Sequence, residues 1–262
     1  MWVVAIPLAC KIYMAEALPL PASHWCLFLD VDGTLIELTD TPFETRASEP
    51  LKTLLREVSG RLGGALAVVS GRSIEYLDAL FAPLRLPCAG LHGVERRSAS
   101  GLRSGSSSTV SSLDPVRGAL INLVRTHAGT LLEDKGRTIA VHFRLAPQFA
   151  AVVREKVPEI IASLGSDYHA QFGNMMVEIK PRGFDKGGAV REFMQEPPFL
   201  GRTPVYVGDD LTDLDGFEAV VAHAGISIAV GDRVHGQYHL ADPTAVRAWL
   251  RTVAGLRDSS PE

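Results

Sequence analysis

At 262 residues, 46% of them hydrophobic, the chain can bury a full core as one large domain or two small ones. Its net charge of −4, with no basic block, argues against nucleic acid as a partner. Cys10, Cys26 and Cys88 are odd in number, far apart and free of C-x-x-C spacing. That pattern fits reduced thiols in a cytosolic protein rather than a disulfide framework.

In chain order, Trp2 to Cys10 is apolar, but Lys11 ends the run too soon for a bilayer span, and no basic signal-peptide start precedes it. Residues 1–24 are expected to be a poorly ordered extension, with Met14 an alternative start. Cys26-Leu27-Phe28-Leu29 reads as a buried strand ending at Asp30-Val31-Asp32-Gly33-Thr34. Pro50 to Val58 is helical by its spacing of Leu51, Leu54, Leu55 and Val58. Ala65 to Val69 is a second strand ending at Ser70-Gly71-Arg72, Ile74 to Phe81 a helix, and Leu86 to Gly90 a third strand. From Ser98 to Ser112 serine and glycine dominate, as in a flexible loop or hairpin.

The pattern then changes to helix, strand, strand, twice over. Val116, Leu120, Leu123 and Val124 mark one helix, and Phe149 to Ile161 the other, each followed by two extended segments. This α+β unit, placed at 113–180, interrupts a parallel α/β fold. The remaining elements are a helix from Phe184 to Met194, a strand Val205–Val207, a helix from Leu211 to Val221, a strand Ile226–Val230 and a helix from Pro243 to Val253. The fold class is thus a Rossmann-like parallel-sheet core, 25–112 and 181–262, with an inserted α+β cap.

Asp30 and Asp32 should stand at the carboxyl end of a central strand, where open α/β sheets build their sites. One can attack phosphorus while the other manages the leaving group's proton. Ser70, Lys186 with Gly187-Gly188, and Asp209-Asp210 fall at matching places. The set suits phosphoryl transfer, which needs an in-line nucleophile, a divalent metal and positive charge on the phosphate oxygens. Taken singly, Ser70, Asp210 or Asp213 also fits a helix cap, Lys186 a solvated lysine, and Arg72 a partner of some surface acid. In the cap, His142 and Arg144 share one strand face, as do Glu178 and Lys180. That exposed face is either a solvated surface or one suited to a sugar with many hydroxyls.

Asp30-x-Asp32-Gly-Thr, Ser70, Lys186 and Gly208-Asp209-Asp210-Leu-Thr-Asp213 resemble, in order, the four motifs of haloacid dehalogenase superfamily phosphatases. The insertion between the second and third resembles the large α/β cap subclass. Gly90-Leu-His92-Gly93-Val-Glu95-Arg96, Lys135 with His142-x-Arg144, and Glu178-x-Lys180-Pro-x-Gly-x-x-Lys186-Gly resemble the trehalose-6-phosphate phosphatases of bacterial type. The resemblance implies an aspartyl-phosphate on Asp30 and proton transfer by Asp32. It implies Mg²⁺ held by Asp30, the Asp32 carbonyl and Asp209, with Asp210 and Asp213 supporting its water shell. Ser70 and Lys186 would grip the phosphate, Gly33 and Thr34 would donate to it, and Arg72 would bind the substrate. Lys135, His142, Arg144, Glu178 and Lys180 would contact a disaccharide, with His92 and Glu95 at the border. It further implies a cytoplasmic monomer without membrane association, coupled to a trehalose-phosphate synthase. The rivals are another sugar-phosphate phosphatase, a phosphomutase, or a non-catalytic partner of that synthase.

Overall fold

The computed structural model describes residues 18–39, 44–105, 112–173 and 175–255. Strand β1 (Trp25–Leu29) is buried at every position, as a strand covered on both faces must be. Helix α1 (Glu49–Arg61) starts where Ser48 accepts from the Leu51 amide and Pro50 presets the first turn, and it buries Leu51, Leu54, Leu55 and Val58. Strand β2 (Leu66–Val69), helix α2 (Ile74–Phe81, capped by Ser73) and strand β3 (Cys88–Gly90) follow, then an antiparallel hairpin of β4 (Glu95–Arg97) and β5 (Arg103–Gly105). Part of the expected serine-rich loop is thus a hairpin at the sheet edge, while 106–111 lie outside the described residues.

The insertion comprises α3 (Asp114–Thr126), β6 (Leu131–Asp134), β7 (Ile139–His142), α4 (Ala150–Ile161), β8 (Tyr168–Gly173) and β9 (Met176–Pro181). Its strands form a separate antiparallel sheet, β6-β7-β9-β8. Val116, Leu120, Val153, Val157, Val141, Val177 and Ile179 close its own apolar core. The chain then returns through α5 (Lys186–Phe193), β10 (Thr203–Gly208), α6 (Leu214–Ala222), β11 (Ile226–Val230), β12 (Tyr238–Leu240) and α7 (Pro243–Ala254).

The large sheet runs β12-β11-β10-β1-β2-β3-β4-β5, parallel from β12 through β3. Chain order proceeds outward from β1 in one direction and from β10 in the other, so the topological switch lies between these two strands. Their carboxyl ends therefore splay apart and leave a crevice. Phe28, Phe193 and Phe199 lock α5 to β1, with ring centroids 5.0–5.9 Å apart.

Three expectations change. Leu18 and Ala22 pack on the core cluster and the Trp25 amide donates to the Ala22 carbonyl, so 18–24 are not loose; 1–17, including Met14, lie outside the described residues. The helix expected from Leu211 begins as a 3₁₀ turn, Leu211–Asp213, because Asp210 and Asp213 form a capping box there. The cap face expected to be exposed is closed against the large domain, leaving Glu178 and Lys180 only 2% and 4% exposed. No helix among the described residues is long and apolar enough to cross a membrane.

Candidate active site

Asp30 follows β1 and is tied to the next strand by its amide, which donates to the Val207 carbonyl at 3.0 Å. Lys186, the first residue of α5, places Nζ 2.7 Å from Asp30 Oδ1 and 2.6 Å from Asp213 Oδ1. All three side chains are buried. Burial pushes the Asp30 carboxyl up to about 7, against the pull of Lys186. Burial alone would lower Lys186, but Asp213 and Asp30 together push it up. The lysine has two anions within 3 Å and so stays charged; Asp30 titrates beside a fixed cation.

Asp213 uses every acceptor it has. Oδ1 accepts from Lys186 and from the Tyr206 hydroxyl at 2.8 Å; Oδ2 accepts from the Asp209 and Asp210 amides, each at 3.0 Å. A carboxylate offers about four lone-pair sites, so this one is spent on shaping the loop after β10. Gly208 is obligatory beneath it, because a Cβ there would fall 2.3 Å from Asp213 Cγ. Across the crevice Gly33, at φ +87°, would place a Cβ 2.3 Å from Asp209 Oδ2, and Thr34 donates to Asp209 Oδ1 at 3.2 Å. Gly33 and Thr34 therefore support Asp209 rather than the cleft.

Asp32 lines the cleft and is gripped by the Arg72 fork, Nε to Oδ2 at 2.8 Å and Nη2 to Oδ1 at 2.7 Å. Arg72 thus pairs with the second aspartate, not with a surface acid. Thr45 accepts from the same guanidinium at 3.0 Å. Ser70 is buried and accepts from the Arg72 amide at 3.1 Å. Glu95 does not reach the cleft; it accepts from the Ile74 amide at 2.9 Å and so caps α2.

The cap supplies the roof. Glu178 on β9 accepts from His92 at 2.7 Å, from Lys135 at 3.0 Å and from Thr138 at 3.0 Å. Burial would raise its carboxyl, but Lys135 and His92 hold it well below the usual carboxylate range. Burial lowers His92, against the pull of Glu178, whose carboxylate accepts from its Nε2. His92 has φ 56°, a left-handed conformation uncommon for a residue with a side chain. Gly71 packs against it, since a Cβ there would sit 2.6 Å from His92 Nε2. Lys135 also donates to the Gly71 carbonyl at 2.9 Å, joining cap to core.

Of the residues singled out from sequence, Asp30, Asp32, Ser70, Arg72, His92, Lys135, His142, Arg144, Glu178, Lys186 and Asp210 line one cleft of about 160 Å³. Asp209, Asp213, Gly33 and Thr34 stand behind its floor, and Lys180 is buried beside Glu178 but off the lining. Two charged lining groups escaped the sequence reading. Glu133 accepts from His142 at 2.9 Å and lies 3.7 Å from Lys135; its two-residue spacing from Lys135, which directly follows β6, was the available signal. Arg233, on the loop after β11, pairs with Asp209 and Asp210. An isolated loop arginine carries no such signal.

Carboxylate oxygens of Asp30, Asp209 and Asp213 lie within 4.8 Å of one another. This hard, all-oxygen set fits a Mg²⁺ ion in chemistry. Asp213 has no acceptor left over, so Asp30 and Asp209 are the two of the three that could hold such an ion.

The trehalose-phosphatase family profile matches residues 28–247. A probable trehalose-phosphate phosphatase of Sinorhizobium fredii is 38% identical over 241 residues, covering 92% of this chain and 91% of the relative. The trehalose-6-phosphate phosphatase of Escherichia coli K12 is 36% identical over 233 residues, 88% of this chain and 87% of its own. A solved trehalose-6-phosphate phosphatase related protein superposes at TM-score 0.76 with 26% identity, covering 88% of this chain and 97% of that one. With its acids at the switch point and a polar cap closed over them, the chain belongs to the trehalose-phosphatase family of enzymes.

Proposed function

We propose that this enzyme hydrolyses trehalose 6-phosphate to trehalose and inorganic phosphate through a phosphorylated Asp30, with Mg²⁺ as cofactor. The observation that carries the reading is the Glu178 cluster, which seals a polar cap face onto the phosphoryl-transfer floor. The relatives' substrate supports the choice of sugar.

Asp30 Oδ attacks phosphorus, forming an acyl phosphate as the bond to the sugar oxygen breaks. Asp32, its plane fixed by Arg72, hands a proton to that oxygen and then takes one from the water that cleaves the acyl phosphate. Lys186 neutralises charge on Asp30 and the non-bridging oxygens, and Asp213 keeps Lys186 in place. Bound Mg²⁺, held by Asp30 and Asp209, would supply Lewis-acid charge to the phosphoryl group. The cap residues Lys135, His142, Arg144 and Glu178, with Glu133, would take the sugar hydroxyls, and Lys180 would support Glu178.

The cleft's 160 Å³ is well under the roughly 300–1,000 Å³ of ordinary ligand pockets. The cap must therefore lift to admit a disaccharide and close again to exclude water. The deciding experiment measures phosphate release from trehalose 6-phosphate, sucrose 6-phosphate, glucose 6-phosphate and mannosyl-3-phosphoglycerate, with Mg²⁺ and with a chelator. Trehalose 6-phosphate should give the highest kcat/KM, Mg²⁺ should be required, and folded Asp30→Asn should release nothing. Phosphate release by Asp30→Asn, or no preference for the disaccharide, would overturn the reading.

A further inference from the structure

A second cleft, of about 340 Å³, opens at the edge of the large sheet beside the β4–β5 hairpin. It shares no lining residue with the first. Arg97 stands opposite Cys88, the first residue of β3. The cleft is therefore at the amino end of that strand, whereas the catalytic acids follow the carboxyl ends of β1 and β10.

Three arginines converge there on one carboxylate. Asp78 Oδ1 accepts from Arg97 at 2.6 Å, and Oδ2 accepts from Arg103 at 3.0 Å and Arg85 at 3.2 Å. Among the described residues, no other carboxylate forms an ion pair with any of the three, which leaves a surplus of two positive charges. Arg97 is buried, and its Nε and Nη2 donate to the Leu86 carbonyl at 3.3 and 2.8 Å. Its fork is thus fixed in advance. Ser98 and Ser100, their hydroxyls 2.8 Å apart, line the same wall.

A tie between hairpin and helix needs only Arg97 and Asp78. Arg85 and Arg103, with side chains 71% and 57% exposed, add like charge at the same point. Asp78 neutralises only one of the three charges at the cleft, and a tetrahedral dianion matches the remaining two, because guanidinium forks fit its oxygens two at a time.

We propose that this cleft is a second binding site that takes a phosphate dianion, either free or carried on a small ester. The test titrates inorganic phosphate into the full-length Asp30→Asn chain at physiological salt and follows backbone amide NMR shifts. Residues Ser98–Arg103 should shift saturably, as a group separate from those around Lys186. In the added double change Arg85→Gln, Arg103→Gln, the first group should bind at least tenfold more weakly while the second titrates as before. Both arginines are surface groups, so the double variant in an otherwise native chain should keep its phosphatase rate, which certifies the fold. No shift at Ser98–Arg103, or a shift that survives the double change, overturns the proposal. The same titration with glucose 6-phosphate separates the two sources: tighter binding of the ester assigns the site to a phosphate ester, and weaker binding assigns it to free phosphate.

Discussion

Replacing Asp213 by asparagine tests whether this residue shapes the site or ligates metal. The amide keeps the shape of the carboxylate but loses its charge and turns one acceptor oxygen into a donor nitrogen. Either Lys186 and the Tyr206 hydroxyl, or the Asp209 and Asp210 amides, must then face an NH₂ group. The site is fully buried, and removing one member of a buried charge pair costs about 3–5 kcal/mol. For a chain of this size each kcal/mol moves Tm by roughly 2–4 °C, so the midpoint should fall by about 6–20 °C. Thermal unfolding followed by the fluorescence of the buried Trp25 and Trp249 measures this, in chelator and in saturating Mg²⁺. The loss should be nearly equal in the two media, because the broken bonds are to protein donors. A variant as stable as wild type in chelator, and weakened only in Mg²⁺, would refute the reasoning and return Asp213 to the metal.

Glu178→Gln should raise KM for trehalose 6-phosphate about tenfold or more and leave hydrolysis of a small aryl phosphate within about threefold, since one charge-assisted hydrogen bond to a buried group is worth about 1.5–3 kcal/mol; equal losses on both substrates would remove the cap from specificity. The cap–core contact should also give a pH signature. His92 is lowered from its ordinary 6.5 in the fold, so its contribution is present above pH 6.5 and is lost as pH falls below it. Glu178 is depressed below 4.5, so its contribution is present above pH 4.5 and is lost below it. Equilibrium unfolding at stepped pH should show the first arm flattened in His92→Gln; an unchanged arm between pH 6.5 and 4.5 would assign that loss elsewhere. Gly71→Ala pushes a methyl into the His92 ring and should cost about 1–3 kcal/mol, together with a higher KM for the disaccharide, both checked by thermal unfolding and steady-state kinetics. Wild-type stability in that variant would mean that the ring moves aside freely.

The fold class was legible because β1 and β2 are short apolar runs ending at Asp30 and Ser70, and β10 is largely apolar up to Gly208, as strands covered on both faces are. β12 was not legible: Tyr238–Leu240 has three residues, one of them His239, and forms only because β11 offers it an edge. Around β4 and β5 the arginine- and serine-rich sequence left loop and hairpin both open, because strand conformation there is set by the neighbouring edge of β3. In the site, the acids showed themselves by position after strands. What could not be read was direction. Arg72 turns to Asp32 because the loop after β2 passes beside the loop after β1, a neighbourhood created by sheet order alone. Likewise Glu178 and Lys180 were placed on the correct strand face, but their burial depends on a domain packed above that face. Arg233 reaches the acids only because β11 lies next to β10.

The two apolar clusters, one under each sheet, have no residue in common, and the cap meets the core through Glu178–His92 and Lys135–Gly71. Lifting the cap thus trades protein hydrogen bonds for water with little oily surface uncovered. Its opening should carry almost no heat-capacity change and should barely respond to urea, whose effect scales with exposed area.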